Sequence, residues 1–530
     1  MDMALKIILL VGFFAITLGV GLYSRRHATD VNGFVLGGRS VGPWLTAFAF
    51  GTSYFSAVVF VGYAGQFGWR FGMASTWIGL GNAFIGSLLA WVILGRRTRI
   101  MTQHLNSRTM PDFFGLRYDS KGLRTVAAII TFVFLIPYTA SLFNGLSRLF
   151  TMGFPGVDYA WCVIIMAVLT GIYVIVGGYM ATAINDFIQG IIMVIGIVAV
   201  IVAVINGQGG LTEAIAGMSA LSTTTPAGTE FHGAFTSFFG ADPEFLFFVI
   251  VLTSLGTWGL PQMVGKFYAI KDEDAVKKGT VISTVFAVLV SGGCYFLGGF
   301  GRLFDNVVEM QADGVTPIYD SVIPAMLSNL TPLLIGVVLV LVLSASMSTL
   351  SSLVLTSSST ITLDLLAPKA KKDFTEKKKM LSMRIFIAFF IILSAVIAIV
   401  QAKSNVVFIA QLMGVSWGAL AGAFLAPFLY GLFWKRTTKA ACWFSFGFGV
   451  VLSVLQLVKS LAGFNIGVDF IDNVMLKSSI HSGAFAMLLG LVLVPLVSLI
   501  TKKPNAEKVD KIFSCYNKTV AVPVSESLGE

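Results

Sequence analysis

PLLIGVVLVLVLSASMSTLSSLVLTSSSTITLDLL, residues 332–366, is apolar for long enough to cross a bilayer, yet its centre is crowded with hydroxyls. No charged side chain occurs from Pro332 to Leu363, and about 20 apolar residues span the hydrocarbon core as a helix. The middle holds Ser344, Ser346, Ser348, Thr349, Ser351 and Ser352. At helical spacing Ala345, Ser348, Thr349 and Ser352 share one face, because residues three and four apart stack together. Two roles suit such a face. Small hydroxyl residues let helices approach closely and bond back to their own carbonyls. Neutral oxygens also coordinate a hard cation. The rest of the chain has to decide between them.

The 530 residues are 56% hydrophobic and only 12% charged, with a mean hydropathy of +0.86. Soluble domains are about one-quarter charged, so the chain reads as an all-α polytopic membrane protein whose first partner is the lipid bilayer. Its 55 Gly and 45 Phe suit helices packed in lipid. A net charge of +10 suits loops facing an anionic leaflet, not nucleic acid. Cys162, Cys294, Cys442 and Cys515 show no paired spacing, and the four histidines form no metal-binding pair. Dispersed histidines and unpaired carboxylates supply no catalytic constellation, so an enzyme is not expected. Repeated filter segments or charged rings, which a channel needs, are lacking too.

Met1–Tyr23 lacks the basic n-region of a signal peptide, and Arg25 and Arg26 follow its apolar run. It is expected to be an uncleaved first helix, 4–23, with its N-terminus outside. Twelve further spans are expected at about 42–71, 74–95, 125–149, 159–177, 187–206, 243–265, 279–300, 332–366, 383–401, 405–434, 440–462 and 479–501. Assigning alternate loops to one side, starting after the first helix, collects 29 of the 36 Lys and Arg there, Lys266 among them. Short cytoplasmic loops hold the positive excess, so thirteen spans with the C-terminus inside, in the plasma membrane, are expected. Residues 207–241 read as a polar loop with short helical pieces, and 301–331 as a helix on the membrane surface. The cytoplasmic tail, 502–530, is too short and polar to fold as a domain.

Two spans are interrupted. In 42–71 the break falls at Gly51, Thr52, Ser53 and Ser56; in 243–265 it falls at Gly256–Pro261. Unwound backbone at membrane depth must line a cavity or be buried in protein, and interrupted spans at matching positions in two halves point to a transport site. The breaks lie in the second and seventh spans, five helices apart. An odd offset inverts one half relative to the other, giving inverted repeats at about 42–206 and 243–434 within one transmembrane domain, 1–501, with extra helices over 440–501. Carbonyls freed near Thr52 and Phe55 could meet the hydroxyl face of the ninth span. Asp186, at the expected start of the sixth span, either supplies negative charge near that site or caps its helix. Asp364 is expected at the membrane interface, facing the basic 369–384 loop.

Five segments in order, FGTSYFSAVVFVG (50–62), IYVIVGGYMATAINDFIQ (172–189), GTWGLPQMVGKFYA (256–269), SASMSTLSS (344–352) and GLFWKRTTKAA (431–441), resemble the sodium:solute symporter family. That family includes proline, pantothenate and sodium/glucose transporters. The resemblance implies a leucine-transporter-like core of five plus five inverted helices driven by Na⁺. It implies a sodium site of Thr52 and Phe55 with Ala345, Ser348 and Thr349, and Asp186 near its inner exit. The solute is expected against the two breaks, at Tyr54, Ser56, Ala57, Thr253, Thr257, Trp258 and Pro261. Proline transporters of the family carry a carboxylate at the position of Tyr54, and Trp and Tyr at those of Thr253 and Thr257; Pro261 agrees. The GLP of 259–261 with KDEDAVKKG after it is more similar to pantothenate transporters. The expected function is sodium-coupled import of a small carboxylate or zwitterion, such as pantothenate, an amino acid or a monocarboxylate. The alternatives are a sodium-coupled sugar symporter and a transporter-like sensor without coupled flux.

Overall fold

Apolar runs become helices wherever lipid leaves the backbone no other way to satisfy its polar groups. The computed structural model describes residues 2–154, 156–311, 316–370, 374–404 and 409–517. Among the described residues ten helices are long and apolar enough to cross a membrane, or eleven with the bent pair Pro243–Gly259 and Pro261–Ala269. Two of the ten are twice a span's length. Tyr159–Gly207 is broken at Gly178, where φ is 56° and ψ −143°. A side chain is excluded there on two counts, the left-handed φ and the carbonyl of Phe34, which lies 2.8 Å from where a Cβ would sit. Val58–His104 joins the second half of one broken span to the next span. Resolved in this way, the helices follow the thirteen segments expected from sequence.

Both interruptions are present. Pro43–Tyr54 ends at Phe55, whose φ of −80° and ψ of 117° are extended, and helical winding resumes at Val58 with a wide i→i+5 turn. Pro243–Gly259 ends at Leu260, which is also extended, and Pro261 opens the following helix with a bend of 44°. A short backbone bridge ties the two broken spans together at one end. Val41 N–H donates to the Ala269 carbonyl at 3.2 Å, and Lys271 N–H to that of Val41 at 3.0 Å.

Two expectations, for 301–331 and for Asp364, need correction here, and two other segments gain detail. Residues 301–331 do not form a helix along the surface: Val322–Leu327 is buried, with Val322 and Ile323 packed on Gly65 of the second span. Residues 312–315 lie outside the described residues. The 207–241 segment has its short helix, Leu211–Ser219, and adds a hairpin pairing Ser222–Thr224 with Glu230–His232. Asp364 is buried instead of facing the basic loop. Arg124 Nε donates to it at 2.8 Å and Thr109 Oγ1 at 2.6 Å, and Arg124 also pairs with Asp112 at 3.1 Å. A carboxylate carried below the interface must find such partners. Within the tail, Ala506–Phe513 is a helix with Val509 and Phe513 buried. It is held by Lys508–Asp119 and Lys435–Asp510 ion pairs, each 2.6 Å. Residues 518–530 lie outside the described residues.

Candidate sodium and solute site

A helix that stops inside the membrane leaves its last carbonyls without N–H partners and presents the negative end of its dipole. Pro43–Tyr54 stops against the middle of Pro332–Thr360. Thr349 Oγ1 lies 3.0 Å from the Thr52 carbonyl, 3.3 Å from that of Phe55 and 3.1 Å from that of Ala345. Ser348 Oγ lies 3.3 Å from the Thr52 carbonyl and 3.1 Å from that of Ala345. Five oxygens from two helices thus converge, all on fully buried residues or nearly so. Two hydroxyl protons are shared among three carbonyls, so the cluster is richer in acceptors than in donors. That imbalance fits a hard monovalent cation. Thr52 turns its own hydroxyl away, onto the Phe48 carbonyl at 2.9 Å.

Ser352, one turn further along, carries the cluster onward. Its hydroxyl lies 2.8 Å from Ser53 Oγ and accepts from Lys266 Nζ at 3.0 Å. Lys266 Nζ stands 3.6 Å from Asp186 Oδ2, with both side chains within the interior. Neither Asp186 oxygen accepts a hydrogen bond among the described residues. Asp186 sits eight residues past the break at Gly178 and inside its helix, so it does not cap it. The inside-loop count placed Lys266 in a solvated loop; it is instead buried in Pro261–Ala269. A lysine in an apolar helical stretch five residues after the break was the signal that could have marked it.

The expected solute residues divide. Tyr54 and Thr257 line one small cavity of about 10 Å³ together with Asn82, Met263 and Ser291, at the lower limit of roughly 10–15 Å³ that holds a single water. The helices are closed around it. Ser56 lies at the break with its hydroxyl buried and, among the described residues, without a hydrogen bond, as are Tyr138 Oη and Trp417 Nε1. The Trp417 ring is 5.8 Å from that of Tyr54 and 6.0 Å from that of Tyr138, and a Cβ at Gly256 would meet it at 2.6 Å. Tyr138 and Trp417 were not singled out from sequence, since aromatic residues in apolar spans carry no distinguishing pattern. Ala57 packs its backbone on Gly145. Thr253 bonds back to the Val249 carbonyl at 2.9 Å, and Trp258 Nε1 donates to that of Ile85 at 3.0 Å. Pro261 lies apart, beside Gln262 and Lys266 in a second cavity of about 50 Å³.

Inverted broken helices whose ends meet at membrane depth define a secondary transporter. The model of the sodium:solute symporter family matches residues 34–447, and the chain belongs to that family. It is a sodium-coupled symporter of small solutes, not an enzyme, and an integral membrane protein. Sodium/proline symporters of Staphylococcus aureus strains JH9 and NCTC 8325 / PS 47 are each 28% identical over 510 residues, 94% of this chain and 93% of theirs. The structure of a Na⁺-coupled sialic acid symporter, in a substrate-bound outward-open state, superposes with a TM-score of 0.72 at 16% identity. It covers 94% of this chain and 98% of that one. The likeness establishes the leucine-transporter-like fold.

Proposed function

We propose that one Na⁺ is held by the carbonyls of Thr52, Phe55 and Ala345 and the hydroxyls of Ser348 and Thr349. The convergence of these five oxygens across a helix break carries the reading. Asp186 stands on the inner path from that site, its charge balanced by Lys266. The solute docks between the two breaks. Tyr54, Ser56, Ala57 and Thr257 form the pocket with Tyr138 and Trp417, whose ring packs on both tyrosines. Thr253 and Trp258 shape its wall, and Pro261, which opens the helix after the break at Leu260, faces the neighbouring cavity beside Lys266.

No Lys or Arg lines the cavity at Tyr54, while half-helix N-termini at a break can receive a carboxylate. The solute is therefore a small carboxylate or zwitterion, with proline, pantothenate and monocarboxylates the classes to test. The skew of Lys and Arg supports an N-terminus outside and a cytoplasmic C-terminus, and the two breaks support repeats at about 42–206 and 243–434. One charge crossing about 100 mV gains about 2.3 kcal/mol, enough for roughly fiftyfold accumulation.

The test is uptake into proteoliposomes across a panel of proline, pantothenate, lactate and glucose, with and without an inward Na⁺ gradient. One acidic or zwitterionic solute should accumulate only with the gradient. Uptake indifferent to Na⁺ would overturn the coupling, glucose uptake would overturn the solute class, and absence of flux with Na⁺-dependent solute binding would favour a sensor.

A further inference from the structure

Away from the transport path, a cavity of about 770 Å³ opens where the last two spans reach the face that carries the tail helix. Its cationic lining is Arg117, Lys439, Lys502, Lys503, Lys508 and Lys511, against one carboxylate, Asp119. Asp119 is taken by Lys508 at 2.6 Å, and Arg117 is turned onto the carbonyls of Gly431 and Trp434. Among the described residues no carboxylate pairs with Lys439, Lys502, Lys503 or Lys511. The nearby Asp510 is engaged by Lys435.

The walls are fixed. Thr438 Oγ1 and Thr501 Oγ1 are 2.8 Å apart, joining the start of Lys439–Ala462 to the end of Ser479–Ile500, and the tail helix closes one side with Val509 and Ile512. Trp443 is exposed at the cavity, and Leu496, Leu499 and Ile500 are exposed apolar residues in the last turns of the span that ends at its wall residue Thr501. Unbalanced lysines beside these exposed apolar residues suit an anionic headgroup whose acyl chains run along the helix.

We propose that this cavity binds the phosphate headgroup of an anionic phospholipid, seated between Lys439, Lys502, Lys503 and Lys511 with its chains against Leu496 and Ile500. Binding at this position staples the tail helix to the last two spans.

The test titrates the purified full chain in neutral detergent with dioctanoyl phosphatidylglycerol, dioctanoyl phosphatidylcholine or inorganic phosphate. Thermal unfolding is read by tryptophan fluorescence, and bound lipid is counted by native mass spectrometry. Phosphatidylglycerol should stabilise the protein and phosphatidylcholine should not. Each lysine near the headgroup contributes about fivefold in affinity, so K439Q/K502Q/K503Q should raise the half-saturating phosphatidylglycerol concentration about a hundredfold. The variant K277Q/K377Q/K378Q, which removes three exposed charges elsewhere, should leave it unchanged. Equal loss in both triple variants, or equal stabilisation by phosphatidylcholine, would overturn the site. Inorganic phosphate reproducing the full stabilisation would overturn the phospholipid in favour of a soluble phosphate compound. Should the lysine triple variant fold poorly, K439Q alone with the mass-spectrometric lipid count decides the same question.

Discussion

Replacing Lys266 by methionine leaves Asp186 buried with no cation against it among the described residues, since Lys266 Nζ at 3.6 Å is its recorded partner. At an effective dielectric constant of about 20, two unit charges at that 3.6 Å separation attract by about 4.6 kcal/mol. Desolvation offsets much of this in the intact pair, but removing one partner exposes the whole cost, typically about 3–5 kcal/mol. Among the described residues Asp186 has no hydrogen bond to soften that loss, so K266M should fall at the upper end. D186N should cost less, because Lys266 keeps the Ser352 hydroxyl at 3.0 Å. The double variant K266M/D186N should recover most of the loss, giving a coupling energy of about 2 kcal/mol or more. Equilibrium unfolding in mixed detergent micelles, at fixed Na⁺, measures the three variants against the parent. Single-variant losses that add in the double variant would refute the pairing. So would a K266M protein as stable as the parent, which would show the lysine to be neutral or solvated.

The proposed sodium cluster predicts that T349V, isosteric but without the hydroxyl, loses a bond to a charged partner worth about 1.5–3 kcal/mol. The Na⁺ concentration for half-maximal uptake should rise roughly ten- to hundredfold, while T349S stays near the parent. Gly68→Ala would place a Cβ 1.9 Å from the Gly298 carbonyl oxygen. It should lower the thermal midpoint by overpacking of about 1–3 kcal/mol, whereas Gly12→Ala, with nothing within 4 Å, should not. In the 463–478 loop, the Lys459 ammonium first, and then the N–H groups of Ile466 and Gly467, hold the Asp472 carboxyl down at about 2. A depressed carboxyl contributes stability above its unfolded value of about 3.9 that is lost as pH falls through the folded one. Hydrogen-exchange protection of this loop should therefore fall between about pH 4 and pH 2 and become flat over that window in D472N.

The sequence exposed what rests on local chemistry. Glycine and proline at 256–261 and the hydroxyl run at 344–352 marked the breaks and the ninth span because each changes the backbone or polarity where it stands. Partners that depend on distant segments meeting were not legible. Lys266 was counted with the loops because a charge near an expected span end ordinarily lies in water, and only the Pro261–Ala269 helix carries it inward to Asp186. The same rule puts Asp364 at the interface. Arg124, 240 residues away, reaches it only once the fourth and ninth spans pack together. The docked tail helix depends on Asp119 and Leu432, which no local pattern links to residues 506–517.

These long-range partners decide how sodium can act on the conformation. The two broken spans are joined to each other through Val41, Ala269 and Lys271, and the ninth span is fastened to the fourth through Asp364 and Arg124. Polar links between the two bodies concentrate at two neighbouring layers: the oxygens around Thr349, and Ser352 with Ser53 and Lys266. Without a cation the first layer is held by two hydroxyl protons shared among three carbonyls. A cation binding there engages oxygens from both bodies at once, so on the proposed assignment it favours their apposition. Its leverage is RT ln(1 + [Na⁺]/Kd), about 2.7 kcal/mol at a hundredfold excess over Kd. That is comparable to the coupling expected of the Lys266–Asp186 pair beside it. On that assignment sodium can shift the equilibrium toward this closed arrangement by roughly two orders of magnitude in population, because its ligands are divided between the two bodies.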